Sequence, residues 1–390
     1  MANWLYCWEL GGGSGHARRI HSVAAELGKR GHNLTLCVPS AQAEQARSWW
    51  PAVIAAPASM QINVKSPASF ADLLINQGWS DRERLASSCR LWQQIFARYA
   101  DAALLLDFAP NALLAARLLS RSTTQLGTGF YLPPDTSPLP AFRNDASVYP
   151  DRLRLNEGLI VEQLSPLFKA QRVPAPDRLA AVFHHPSVKL KLCTDRALDH
   201  YPARVGAEYF GVVSALPDPC HLAPNWSAAL SRRAFAYLKP FPRLGDLLLA
   251  LAEQFDECLV WGDETVAKVV ARLARPQLQM ARGPVDEAEL AASRCELLVN
   301  HAGHDGSAKA MRAGLPLLQV PLHIEQWQTA ENIQRLGAGT WVPAGDTEHF
   351  NVTVAACVHE ASAMRAAAAD YAASTPPPHQ ALANLIDSLV

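Results

Sequence analysis

Apolar positions along this chain fall into two alternating textures, short unbroken runs and stripes spaced three and four apart. Residues 4–10 (WLYCWEL) are an unbroken run, the pattern of a strand buried on both faces. Ile20, Val23, Ala24 and Leu27 then recur at helical spacing, and Gly31 supplies the stop. "HNLTLCVP" predicts the next strand, so strand, glycine bend, helix and strand make a βαβ unit and a parallel sheet. "AALLLDFAP" at 102–110 repeats the theme, a buried strand ending in Asp107 with the helical stretch "NALLAARLLS" behind it. Residues 128–180 are rich in proline and weakly periodic, which predicts substrate-shaping loops.

At "FGVVSALPDPCHLAPNW", 210–226, three prolines in a short span predict a linker. The α/β rhythm then restarts: "AFAYLKP" as a strand, 244–254 as a helix, "ECLVWG" and "CELLVN" as strands, a helix, "LPLLQVP" as a strand, and a helix again. "TPPP" at 375–378 ends a helix, and the last dozen residues read as one more. The expected organisation is two doubly wound α/β domains, 1–213 and 225–375, joined by a linker at 214–224. A terminal helix, 376–390, is expected to pack back on the first domain.

A length of 390 residues agrees with two cores rather than one. Net charge is −1, so the chain lacks the basic footprint of a nucleic-acid binder, and no nucleic-acid partner is expected. The eight cysteines are scattered with no CxxC pair, which speaks against a zinc site or disulfide framework and for a reducing, cytoplasmic setting. The apolar start lacks a basic flank and is cut off by Gly11–Gly13, unlike a signal peptide. No run reaches the roughly 18 apolar residues of a membrane span.

Two stretches carry candidate chemistry. In "WELGGGSGHARRIHSVAAELGKRGH", residues 8–32, glycines and a serine open a helix and His16 follows at once. The residues alone leave three readings: a phosphate cradle, a histidine held on a bend, or a tight turn. The spacing matches neither of the common phosphate loops. In "NHAGHDGSAKAMRAGLPLLQVPLHIEQWQTAENIQRLGAG", residues 300–339, a strand ends, the chain turns through Gly303 and Gly306, and a helix begins near Ser307. A helix start offers N–H donors and a positive dipole end to a diphosphate. Glu325 and Gln326 follow the next strand, where open α/β sheets bind ligands, and a carboxylate beside an amide suits sugar hydroxyls. His184-His185 has no third ligand at metal spacing, and no metal is expected.

The second stretch resembles the donor-binding signature of glycosyltransferase family 1, the UDP-glycosyltransferase superfamily with the GT-B fold. His301-Ala302-Gly303, Gly306-Ser307, Gly314-Leu315-Pro316, Pro321 and Glu325-Gln326 match its elements in order. Bacterial macrolide-type members are the more similar, since the tryptophan motif of plant members is absent. The resemblance implies two Rossmann-like domains facing across a cleft, and an inverting, metal-independent transfer from a nucleotide sugar, UDP- or dTDP-linked, with no other cofactor. It implies His16 as general base and Asp107 as its orienter. His301, Gly303, Gly306, Ser307, Glu325, Gln326, Val285, Tyr237 and Lys239 are expected at the donor, and Gly13, Ser14, Trp79 and Phe130 at the acceptor. The acceptor is expected to be a hydrophobic small molecule, with a lipid or peptide as alternatives; oligomeric state is not specified.

Three features depart from that pattern. Lys309 stands where the family carries a glutamate for ribose hydroxyls, and lysine has no acceptor lone pair. "AYLKP" replaces a Ser/Gly/Thr phosphate loop, and Ala302 replaces the second glycine. Two other functions fit the same residues: a nucleotide-sugar epimerase or hydrolase, and a non-catalytic transferase-like partner.

Overall fold

The computed structural model describes all residues except 13, 59–65, 144–148, 202–203, 205, 215–220, 228–231 and 347–348, together with the side chain of residue 14. The chain forms two compact units. The first comprises Met1–Thr194, Tyr201–Val213 and Leu382–Val390, and the second Asp195–His200 and Ser214–Ala381. Most of the expected linker, 215–220, lies outside the described residues.

The first unit holds six strands: β1 (Asn3–Trp8), β2 (Asn33–Val38), β3 (Val53–Ala55), β4 (Ala103–Asp107), β5 (Thr123–Gly127) and β6 (Val188–Leu192). They lie in the order β3-β2-β1-β4-β5-β6, every neighbouring pair parallel. Helices cover both faces of such a sheet, so its central strands are apolar throughout; Leu5, Tyr6, Cys7, Leu36 and Leu105 are fully buried. Each large apolar side chain enclosed in this way contributes about 1.5–3 kcal/mol. The order reverses between β1 and β4, and an open α/β sheet has its ligand crevice beyond the carboxyl ends at such a switch.

The second unit repeats the design with β7 (Arg233–Tyr237), β8 (Glu257–Trp261), β9 (Leu278–Met280), β10 (Leu297–Asn300), β11 (Leu317–Gln319) and β12 (Gly339–Trp341). The order is β12-β11-β10-β7-β8-β9, again all parallel, and the switch falls between β7 and β10. The expected helix 244–254 is found as Leu244–Gln254.

Two expectations need correction. Residues 150–170, inside the stretch expected to be loops, form the helix Pro150–Ala170. Its apolar stripe is narrow: Leu153, Ile160, Leu164 and Phe168 are buried with Glu157 among them, and that polar member breaks the periodicity. The helix expected to begin near Ser307 begins at His304, because Gly303 takes the extended N-cap conformation.

The last helix, Pro378–Leu389, buries Leu385 and Ile386, and Asp387 meets Arg30 of the first unit at 2.5 Å. Among the described residues no helix is long and apolar enough to cross a membrane, and the seven described cysteines are buried and unpaired as disulfides.

Candidate active site

The β1–β4 register sets Trp8 opposite Asp107, with Tyr6 two residues earlier on the same face. The helix Ser14–Lys29 lies after β1 and buries a stripe of His16, Arg19, Ile20, Val23, Ala24 and Leu27. His16 and Arg19 are three apart and therefore share a face. Strand and helix together bring four groups to one carboxylate. Asp107 Oδ2 accepts from Tyr6 Oη (2.9 Å) and Arg19 Nε (2.9 Å), and Oδ1 accepts from Arg19 Nη2 (2.7 Å). His16 Nδ1 lies 3.0 Å from Oδ1.

Asp107 is 0% exposed, a setting in which an unpaired carboxylate is very costly. Burial opposes its ionisation, but the charge of Arg19 and hydrogen bonds from Arg19 and His16 hold its carboxyl well below the usual range. Burial and the neighbouring carboxylate push the Tyr6 phenol above its ordinary value. Asp107 therefore stays anionic, with Arg19 as its counter-ion.

The His16 ring is clamped by aromatic groups, stacked on Trp8 at 5.2 Å and tilted against Tyr131 at 5.0 Å. Its outer nitrogen Nε2 is buried and has no hydrogen-bond partner among the described residues. Gly11 covers it: φ is +84°, and a Cβ there would sit 2.6 Å from Nε2. The glycine turn thus lets backbone lie against the ring. His16 lies in the first turn of the helix Ser14–Lys29, not on the bend before it.

Capping of the helix Pro110–Leu118, a competing role for Asp107, belongs to Glu9. Its Oε2 accepts the Asn111 backbone N–H at 2.9 Å and its Oε1 the Asn111 side-chain amide at 2.5 Å. Burial pushes the Glu9 carboxyl up to about 7 against the pull of those bonds.

In the second unit, β10 runs into Asn300, whose Oδ1 accepts from Ala302 N at 2.7 Å and Gln319 Nε2 at 3.2 Å. Ala302 has φ +56°, a left-handed conformation costing a non-glycine residue about 1–2 kcal/mol. The helix His304–Arg312 follows with no side-chain cap, so its first N–H groups point past the end of the strand.

The expected donor residues divide. His301 donates Nδ1–H to Val320 O at 2.6 Å and accepts from Lys239 N at Nε2, 2.7 Å. Burial first, and then the Lys239 charge, lower its pKa and favour the neutral ring. Both nitrogens bond backbone, a staple between the β7 and β11 ends. Ser307 is likewise enclosed: its hydroxyl accepts from Gln319 Nε2 at 2.9 Å. Gly303 is the N-cap, and Gly306 lies within the first turn, where an added Cβ would meet Glu287 Oε1 at 3.3 Å. Lys309 faces Asp305 at 3.8 Å, one turn back. Gln326 accepts from Leu322 N at 2.8 Å, and Glu325 lies in the first turn of the helix Ile324–Leu336. Tyr237 is exposed at the end of β7, and Val285 is buried.

Of the acceptor residues, Gly13 and the side chain of Ser14 lie outside the described residues. Trp79, expected on a pocket wall, is instead in the core, its Nε1–H on Asn111 Oδ1 at 2.8 Å. Phe130 is buried and stacked on Phe142, 5.0 Å away. Arg19, Tyr6 and Glu9 were not singled out from sequence. Arg19 carried a usable signal, a charge on the apolar stripe three residues from His16; Tyr6 carried none, since a strand tyrosine reads as core. Among the described residues no three His, Cys, Asp or Glu side chains converge as a cation site.

No protein-family model matches this chain, and no curated protein matches it in sequence. Solved structures do. The spinosyn rhamnosyltransferase SpnG superposes with a TM-score of 0.67 at 17% identity, over 100% of both chains. The calicheamicin glycosyltransferase CalG4 gives 0.68 at 15%, over 100% of this chain and 98% of that one. The Streptomyces sp. SF2575 glycosyltransferase SsfS6 gives 0.63 at 16%, over 99% and 100%. At such identities the likeness concerns architecture, and the two switch-point sheets agree with it: this chain has the two-domain α/β GT-B fold.

Proposed function

We propose that this protein is an inverting glycosyltransferase that moves a sugar from a nucleoside-diphosphate sugar to a hydroxyl acceptor without a metal ion. One observation carries the reading: a buried histidine at the β1–β4 switch, held at Nδ1 by a carboxylate and with no partner at Nε2 among the described residues. A carboxylate at Nδ1 fixes the tautomer whose Nε2 accepts a proton. In the proposed reaction Nε2 of His16 takes the acceptor's O–H proton. The oxygen forms a bond to the anomeric carbon from the face opposite the nucleotide, and the carbon–oxygen bond to the diphosphate breaks, its electron pair leaving with the phosphate. The second unit would hold that diphosphate at the uncapped start of His304–Arg312, where N–H groups and dipole meet the growing charge. Solved structures of the same fold include SpnG complexed with thymidine diphosphate and with spinosyn aglycone. They support a dTDP- or UDP-sugar donor and an apolar small-molecule acceptor here.

The test is release of nucleoside diphosphate from a panel of dTDP- and UDP-sugars in the presence of hydroxylated aromatic and macrolide acceptors, in EDTA. Transfer is expected to fall about 10²–10⁴-fold in His16→Ala, the usual worth of a general base, with nucleotide binding retained. Parental transfer by that variant would remove His16 from the mechanism. A second reading, a transferase-like protein that binds without turnover, draws on the committed side chains of His301 and Ser307. It predicts thermal stabilisation by nucleotide with no diphosphate release in any pairing. Product formed without any acceptor would indicate an epimerase or hydrolase.

A further inference from the structure

Arg19 is buried on the same stripe as His16, and its guanidinium makes two bonds to Asp107, Nε to Oδ2 (2.9 Å) and Nη2 to Oδ1 (2.7 Å). That same Nη2 lies 3.0 Å from His16 Nδ1, which is itself 3.0 Å from Oδ1. The three atoms close a triangle. A guanidinium is a rigid planar fork of donors that accepts nothing. One amino nitrogen therefore faces both the carboxylate and the ring nitrogen, and its shorter contact, the one that completes the fork with Nε, is to Oδ1. With its hydrogen on Nδ1, the ring donates to Oδ1 as well.

We infer that Arg19 is a positioning residue for His16: by occupying the Asp107 carboxylate it keeps the imidazole neutral with its proton on Nδ1, so that Nε2 presents a lone pair. This rests on His16 being the base. The charge argument points the same way as the geometry. A lone buried carboxylate 3 Å from an imidazole favours the doubly protonated ring, which accepts nothing at Nε2. Arg19 supplies the cation that the ring would otherwise supply. The titratable groups around the pair are Tyr6 from β1, Asp107 from β4, Cys193 after β6, Tyr131 against the ring and Arg19 itself. Burial pushes the Cys193 thiol up to about 12 and the Tyr6 phenol above its ordinary range, so neither adds a negative charge at neutral pH.

The experiment is long-range ¹H–¹⁵N correlation on the full chain labelled at histidine, with the His16 signals assigned by their loss in His16→Gln. The parent is expected to show a neutral, Nδ1-protonated ring at pH 8. In Arg19→Met the ring is expected to become doubly protonated at pH values where the parent is neutral. The acid limb of kcat/KM should move up by about 1–3 pH units, the effect of an uncancelled opposite charge at this range, with KM nearly unchanged. Arg19→Lys, which keeps the charge and loses the fork, should restore most of the profile. A parent ring protonated at Nε2, or an Arg19→Met ring and profile like the parent's, would overturn the inference. If Arg19→Met does not fold, the parent tautomer and Arg19→Lys decide it. The spectra need no turnover, so the two readings fail separately. Full transfer by His16→Gln removes the base, whereas an inactive His16→Gln beside unaltered Arg19 variants removes only the role of Arg19.

Discussion

Replacing Asp107 by asparagine perturbs charge and chemistry at one atom pair. The carboxylate accepts from Tyr6 and twice from Arg19 and faces His16 Nδ1. An amide keeps one acceptor oxygen and turns N–H groups towards donors already in place. Arg19 meanwhile loses its counter-charge while still buried. Removing one member of a buried ion pair costs about 3–5 kcal/mol, a large share of the roughly 5–15 kcal/mol that holds a domain folded. At ordinary urea sensitivities of about 2–3 kcal/mol per molar, the midpoint of the first unit should fall by roughly 1–2 M. Hydrogen exchange of peptides from β1 and β4 during urea titration reports on that unit alone. Below about pH 4 the gap should begin to narrow. The Asp107 carboxyl is held low in the folded chain, so its contribution is present above the unfolded value near 3.9 and vanishes as pH falls through the folded one. The paired change Arg19→Met with Asp107→Leu removes both charges, and such replacements are typically neutral or stabilising by about 1–4 kcal/mol. It should recover the midpoint without recovering transfer. An unshifted midpoint in Asp107→Asn, or a double variant no more stable than the single, would refute the ion-pair argument.

Gly11→Ala should cost about 1–2 kcal/mol for its left-handed backbone and also displace the His16 ring, because the new Cβ falls 2.6 Å from Nε2. Gly12→Ala, whose Cβ meets nothing within 4 Å, is the control, and kcat/KM with Tm for both variants checks it. Glu9, with its carboxyl raised to about 7, makes the first unit less stable as pH rises from about 4 to 7, since the folded chain holds a proton that the unfolded chain releases. Glu9→Gln should flatten that slope, worth up to about 3 kcal/mol, in urea midpoints at pH 5 and 8. His301→Ala leaves the Lys239 N–H and Val320 carbonyl unpaired and should destabilise the second unit by about 2–4 kcal/mol at pH 8. Its folded pKa is lowered, so the parent's advantage should shrink as pH falls below about 6.5, read by exchange in β10 and β11 peptides.

What the sequence revealed follows the range of the interactions. The helix Leu244–Gln254 and the runs that became β1, β4 and β10 were legible because parallel sheets bury continuous apolar segments with helical stripes between them. The short strands Val53–Ala55, Leu278–Met280 and Gly339–Trp341 were not, whereas the equally short Leu317–Gln319 was, because it lies in the longer apolar run LPLLQVP. The helix Pro150–Ala170 was hidden by Glu157 inside its stripe, a carboxylate made tolerable by a hydrogen bond from Ser137 thirteen residues before the helix begins. Arg19 was visible as an oddity, a charge on a buried face, but its partner lies 88 residues away.

The two switch-point histidines show why a local motif cannot assign a role by itself. His16 follows a glycine-rich turn after β1 and His301 directly follows β10, and each has Nδ1 beside an oxygen, Asp107 Oδ1 for one and Val320 O for the other. The difference is at Nε2. In the second unit the chain after β7 aims the Lys239 N–H at it, which completes the ring's bonding and leaves a neutral staple. In the first unit the backbone that reaches Nε2 is Gly11, at a φ only glycine adopts without strain, and none of the described residues bonds that nitrogen. A ring held at Nδ1 alone is the arrangement that the proposed general base requires.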